Sequence, residues 1–303
     1  MHVPMSTQKH SKKRLFSSAQ PEAIRSSLAA ISQDDLREVV ERISVPRPTG
    51  TPENEAVCRS IIELFSGTEA GRLGVEVDEA GNVLVGDPRR AKILIGAHYD
   101  SIPGTPGADD NASGVSALLA TARAIGPQEG VCYVAFDGEE CGFVGSRALV
   151  AGLGRHRPEQ VHVLEMVGYV SREPGSQSNP VPAIQAPTVG DFLGLVGTYG
   201  SRQLLDHVLA TADGHAVPVQ GLFLPDVPLE MIGRISHHLL RSDHAPFWRA
   251  CVPALMWTDT AEFRNPHYHL PTDTPETLDY EFLAGVTRLL VHAVLSEFRA
   301  DRG

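Results

Sequence analysis

Cysteine is scarce. The 303 residues hold four, Cys58, Cys132, Cys141 and Cys251. They are too few and too scattered for a disulfide scaffold or a Cys-type zinc finger, which points to a reducing, cytoplasmic setting. Lysine is equally scarce, at Lys9, Lys12, Lys13 and Lys92. With 26 Lys+Arg against 37 Asp+Glu and a net charge of −11, the chain lacks the basic face of a nucleic-acid binder. No apolar run approaches the ~18–20 residues of a membrane span. The N-terminus is basic but has no apolar core of a secretory signal. Neither nucleic acid nor membrane is therefore an expected partner. Residues 1–27 carry Lys9, Lys12, Lys13, Arg14 and Arg25 against Glu22, so the acidity belongs to the remainder of the chain. Residues 1–30 read as a disordered basic tail, with a composition that an organelle transit peptide shares. Residues 31–303 read as one domain.

What is present is an alternation of elements. Leu36, Val39, Val40 and Ile43 recur at helical spacing behind Ser32. Val57, Ile61, Leu64 and Phe65 do so behind Thr51 and Pro52. Residues 74–85 read as a hairpin around Ala-Gly-Asn. Short apolar runs at Ile93–Ala97, Val131–Phe136, Val161–Val167 and Pro253–Thr258 have the texture of strands buried on both faces. Helices are expected at 113–125, 201–212 and 280–298. The fold class is thus α/β, a mostly parallel twisted sheet with helices on both faces. Residues 171–190 hold four prolines and no period, and read as a long loop of the kind that serves as a lid or linker.

Polar residues that are costly to bury follow these runs. His98-Tyr99-Asp100 ends the first, Asp137-Gly138-Glu139-Glu140 follows the second, and Glu165 lies within the third. The segment Asn265-Pro-His-Tyr-His269 comes shortly after the fourth. In open α/β sheets the ligand crevice lies at the carboxyl ends of the strands. Carboxylates converging there repel one another unless a cation holds them, so a metal centre is expected. His98 and Asp100 share one side of an extended segment, which suits an imidazole ligand backed by a carboxylate. The adjacent Glu139 and Glu140 point different ways, as a general base beside a metal ligand requires. Asp109 and Asp137 read as turn or supporting residues, and His237-His238 as surface. Asp243 and His244 read as pocket-shaping. Cys141 reads as a packed small residue and the other cysteines as core.

Six ordered blocks carry a family resemblance: GAHYDS (96–101), GADDNASG (107–114), FDGEECGFVGS (136–146), LEMVGY (164–169), RSDHAPF (241–247) and NPHYHLPTDTPETLD (265–279). Together they resemble the zinc aminopeptidases with two co-catalytic metals, a family that also contains the glutaminyl cyclases. The resemblance implies a zinc exopeptidase fold and two Zn²⁺ per chain, with Mn²⁺ or Co²⁺ as substitutes. It implies that Asp110 bridges the metals, that His98 and Glu165 complete one site, and that Glu140 and His269 complete the other. It also implies a cis Asp110–Asn111 peptide. Glu139 stands where the family has the general base, Tyr268 where it has an oxyanion-stabilising group, and Asp100 behind His98. The activity implied is hydrolysis of the N-terminal bond of peptides with a free amino terminus by a metal-bridged hydroxide. A single-zinc glutaminyl cyclase and an inactive binding protein are the alternatives on the same fold. Two departures stand out: Glu165 where several relatives have Asp, and Cys251 where Gly is usual.

Overall fold

The computed structural model describes residues 21–179, 181 and 186–300. The chain opens on three helices, α1 (Glu22–Ala29), α2 (Gln33–Ile43) and α3 (Pro52–Ser66). Ser32 Oγ accepts from the N–H groups of Asp34 and Asp35, and Thr51 Oγ1 from that of Asn54, so the expected caps form. The tail expected over 1–30 needs a correction. Residues 1–20 lie outside the described residues, but α1 is folded, with Ile24 and Leu28 buried. Its apolar residues have α9 to pack against, a partner that no local reading reveals.

The hairpin β1 (Val75–Val77) and β2 (Val83–Val85) leads to β3 (Ile93–His98), α4 (Gly114–Ile125) and β4 (Val131–Phe136). Next come α5 (Val144–Gly152), β5 (Gln160–Glu165), β6 (Leu193–Gly197), α6 (Arg202–Ala212), β7 (Val219–Phe223), α7 (Leu229–Ile235), α8 (His244–Arg249), β8 (Ala254–Thr258) and α9 (Tyr280–Ala300). The sheet order is β1-β2-β4-β3-β5-β8-β6-β7. Its four central strands, β4, β3, β5 and β8, run parallel, while β2 and β6 are antiparallel to their inner neighbours. The domain is α/β with a mostly parallel mixed sheet. One apolar cluster joins α1, α2, α3, α4, α6 and α9 to one face, and a second joins α5, α7 and α8 to the other.

From β3 the chain crosses to β4 on one side and returns to β5 on the other. That reversal opens a crevice at the carboxyl ends of the parallel strands. Among the described residues between Glu165 and Leu193 there is no regular element, apart from a bridge between Ser171 and Gly190. Among the described residues no helix is long and apolar enough to cross a membrane.

Candidate metal centre

The crevice gathers five side chains from five segments. His98 ends β3 and Glu165 ends β5. Asp110 lies on the turn before α4, Glu140 on the turn after β4, and His269 on the loop after β8. Each oxygen of Asp110 faces a different imidazole: Oδ1 is 3.2 Å from His98 Nε2, and Oδ2 is 3.1 Å from His269 Nε2. Glu165 Oε2 lies 3.5 Å from His98 Nε2, and Glu140 Oε1 lies 3.5 Å from His269 Nε2. The result is two triads, His98–Asp110–Glu165 and Asp110–Glu140–His269, with donor atoms of each within 4.8 Å of one another.

Electrostatics favour positive charge within this cluster. Burial opposes protonation of His98, yet Glu165, Asp100 and Asp110 hold its pKa well above the ordinary value. His269 is likewise pushed up to about 10, because Asp110 and Glu140 outweigh its burial. Burial and the charge on Asp110 raise Glu140. Burial, Glu165, Asp243 and Glu140 push Glu139 well above the usual carboxylate range. His98 Nε2 is buried and forms no hydrogen bond, although carboxylate oxygens lie on two sides of it. A ring nitrogen held in this way suits a cation, and so does an imidazole–carboxylate donor set without thiolates.

Supporting contacts fix the donors. Asp100 Oδ1 sits 3.4 Å from His98 Nδ1 and accepts the N–H of Glu139, and Oδ2 accepts that of Glu140, both at 3.1 Å. One carboxylate therefore orients a candidate ligand and the turn of the Glu pair. Ser242 Oγ donates to Glu165 Oε2 at 2.7 Å. Asp273 accepts the N–H groups of Asp109 and Asp110, at 2.9 and 3.1 Å. Arg47, fully buried, donates to the carbonyls of Tyr99, Pro106 and Gly107 and so clamps the turn that presents Asp110. Gly107 turns there at φ 64°, where a Cβ would lie 2.4 Å from the Asp110 carbonyl oxygen. The Asp110–Asn111 peptide is cis. His269 is itself left-handed, at φ 58°.

Tyr268 stacks on His269 and accepts a hydrogen bond from Arg241 Nη2 at 2.8 Å. Arg241 also pairs with Glu262. Asp109 is buried against Asn265 and the N–H of Gly168, and Asp137 against Asn54 and Thr49, as supporting residues. His237 is exposed, and His238 meets Glu262. Two sequence expectations are corrected: Cys141 and Cys251 are exposed, not packed or core. Each lies on a turn, Cys141 after β4 and Cys251 after α8. Sequence reasoning missed Arg47, Ser242 and Asp273. Ser242 and Asp273 lie inside quoted blocks, so position was the available signal; Arg47 had none.

The paired triads have the arrangement that the sequence resemblance led one to expect. Residues 82–214 match the model of Peptidase family M28. The uncharacterized protein YfbL of Escherichia coli is 39% identical over 219 residues, covering 64% of this chain and 63% of that protein. Aminopeptidase YwaD of Bacillus subtilis is 28% identical, over 69% of this chain and 42% of its own length. The match therefore spans less than two thirds of these curated relatives. The crystal structure of the Legionella pneumophila aminopeptidase LapA shares the fold, with a TM-score of 0.71 at 20% identity over 97% of this chain and 78% of its own.

Proposed function

We propose that the chain is a zinc-dependent aminopeptidase that holds two zinc ions and releases the first residue of peptides with a free amino terminus. The single observation that carries this reading is the division of Asp110 between His98 and His269, each backed by a glutamate. His98, Asp110 and Glu165 would hold one ion, and Asp110, Glu140 and His269 the other. Zinc bound there supplies Lewis acidity to the scissile carbonyl and to the attacking water.

The chain's own residues do the rest. Glu139, half-buried beside the ligands and raised in pKa, takes the proton of the attacking water and passes it to the leaving amine. The Tyr268 oxygen accepts from Arg241, which leaves its own proton free to point at the carbonyl oxygen as negative charge develops. Asp100 keeps His98 and the Glu139–Glu140 turn in place.

The test pairs metal analysis with a peptide panel. About two zinc atoms per chain and release of N-terminal residues are expected. Glu139→Gln should lower kcat by ~10²–10⁴ while retaining the metal. A wild-type protein that holds zinc yet behaves like Glu139→Gln on every peptide overturns the proposal. One zinc per chain, with cyclisation of N-terminal glutamine, would favour the cyclase alternative.

A further inference from the structure

We infer that Arg264 is a positioning residue for substrate selection. It fixes one wall of the cavity that receives the first residue's side chain, and so sets the preference for large apolar residues over alanine. This rests on the aminopeptidase reading above.

A cavity of about 120 Å³ opens beside the metal cluster and is lined by Glu165 and Tyr268 at that end. One rung of the sheet, Glu165–Thr258–Gly194–Gln220, runs along it. Leu222, Leu239 and Met256 supply apolar surface. The volume is of the order of a cavity that encloses benzene, about 150 Å³, so a ring or a branched aliphatic side chain fits. Another wall comes from the chain between β5 and β6, through Gln177, Pro187 and Phe192.

This wall belongs to no helix or sheet ladder, so other bonds must hold it. Its two limbs are tied to each other: the N–H of Ser171 donates to the Gly190 carbonyl at 2.9 Å, and that of Gln177 to the Thr188 carbonyl at 3.1 Å. Arg264, buried on the loop after β8, ties both limbs to the rest of the fold and is not itself a lining residue. Its Nε donates to Gln177 Oε1 at 2.9 Å, and its Nη1 to the Phe192 carbonyl at 2.8 Å. The guanidinium also lies over the Phe192 ring, 4.5 Å from its centre. Asp259 favours the buried charge and accepts the N–H of Tyr169, where the segment begins. Gly190 makes room for this arrangement, since a Cβ there would lie within 2.9 Å of Arg264 Cγ, Cδ and Nε.

Without Arg264, Gln177 Oε1 and the Phe192 carbonyl lose a buried partner, a cost the wall relieves by moving. Lysine keeps the charge but offers a compact point donor in place of a planar fork, and cannot hold both acceptors as arginine does. A displaced wall loses contact with a large side chain. Alanine is too short to reach it.

The experiment measures kcat and KM for aminoacyl-anilides of Leu, Phe and Ala in wild type, Arg264→Lys and Gly190→Ala. The second variant crowds Arg264 while leaving every lining residue and every charge in place. Wild type should favour Leu and Phe over Ala in kcat/KM. In both variants that preference should fall by about tenfold, through KM for Leu and Phe, with the Ala substrate within about twofold of wild type. A role confined to folding lowers turnover of all three substrates alike, and that result overturns the inference. So does a wild type without the preference, or a preference that survives in the folded variants. If Arg264→Lys fails to fold, Gly190→Ala decides. If wild type cleaves neither anilide nor peptide, the aminopeptidase reading has failed instead, and the cavity is probed by thermal shift with phenylalaninamide and alaninamide. A larger shift with phenylalaninamide that is lost in Gly190→Ala supports the role of Arg264. Equal shifts, or a difference that survives the substitution, overturn it.

Discussion

Asp273 Oδ2 accepts the backbone N–H of Asp110 at 3.1 Å, so a residue 163 positions away aims the carboxylate that His98 and His269 share. Its other oxygen holds Asp109. Burial and the charge on Asp109 push the Asp273 pKa up to about 7, against the pull of the two N–H donors. Asp273→Asn keeps one acceptor and turns a donor toward the second N–H. Zinc affinity should fall by roughly 10–100-fold, as when other outer supports of a metal site are removed. Competition against a chelator measures it; unchanged affinity in a folded variant removes Asp273 from that role.

Cys251 occupies a left-handed conformation, φ 57°, with its side chain exposed. Glycine, usual at this position in the family the motifs resemble, adopts that conformation without strain. Cys251→Gly should therefore stabilise the fold by roughly 0.5–1 kcal/mol, after the added freedom of the unfolded chain is subtracted. The urea midpoint should rise at constant slope, and a fall would contradict this account.

Two histidines outside the metal cluster set an acid limit. Burial lowers His162 to about 3, and burial beside His292 lowers His215 to about 4. Below pH ~6.5 the unfolded chain binds protons that these folded side chains refuse. Their contribution is complete above that pH and is lost as pH falls toward 4 for His215 and 3 for His162. His215→Gln should reduce the stability lost between pH 7 and 4.5 by about 2 kcal/mol. Identical pH profiles for variant and wild type would exclude His215 as a contributor.

Leu28 is fully buried in the cluster that joins α1 to α9, and Arg288 donates to its carbonyl. Leu28→Ala should cost ~2–4 kcal/mol, read by denaturant unfolding. A cost below that of a surface substitution would return this helix to the tail.

The elements read correctly from the chain are those with strong local signals. The runs at Ile93–Ala97 and Val131–Phe136 became β3 and β4, buried along their whole length. The 3.6-residue repeats at 113–125 and 280–298 became α4 and α9. By contrast, β6 carries two glycines and β7 is a partly exposed edge strand, so neither has a continuous apolar run. In α8 a proline interrupts a six-residue helix, and its helical period is too short to register. Nothing in α1 announces that its apolar face is covered.

The sequence by itself determined the chemistry at hand: which acids and imidazoles follow buried strands, in what order, and on which turns. Those properties are local, because strand burial and turn formation depend on neighbouring residues. Tertiary structure decided what those groups face. It brought Asp110 between His98 and His269, placed Asp273 and Ser242 behind the donors, and aligned Glu165 with Gln220 on one rung of the sheet. Such contacts join residues distant in the chain, through strand order and register that no local pattern encodes.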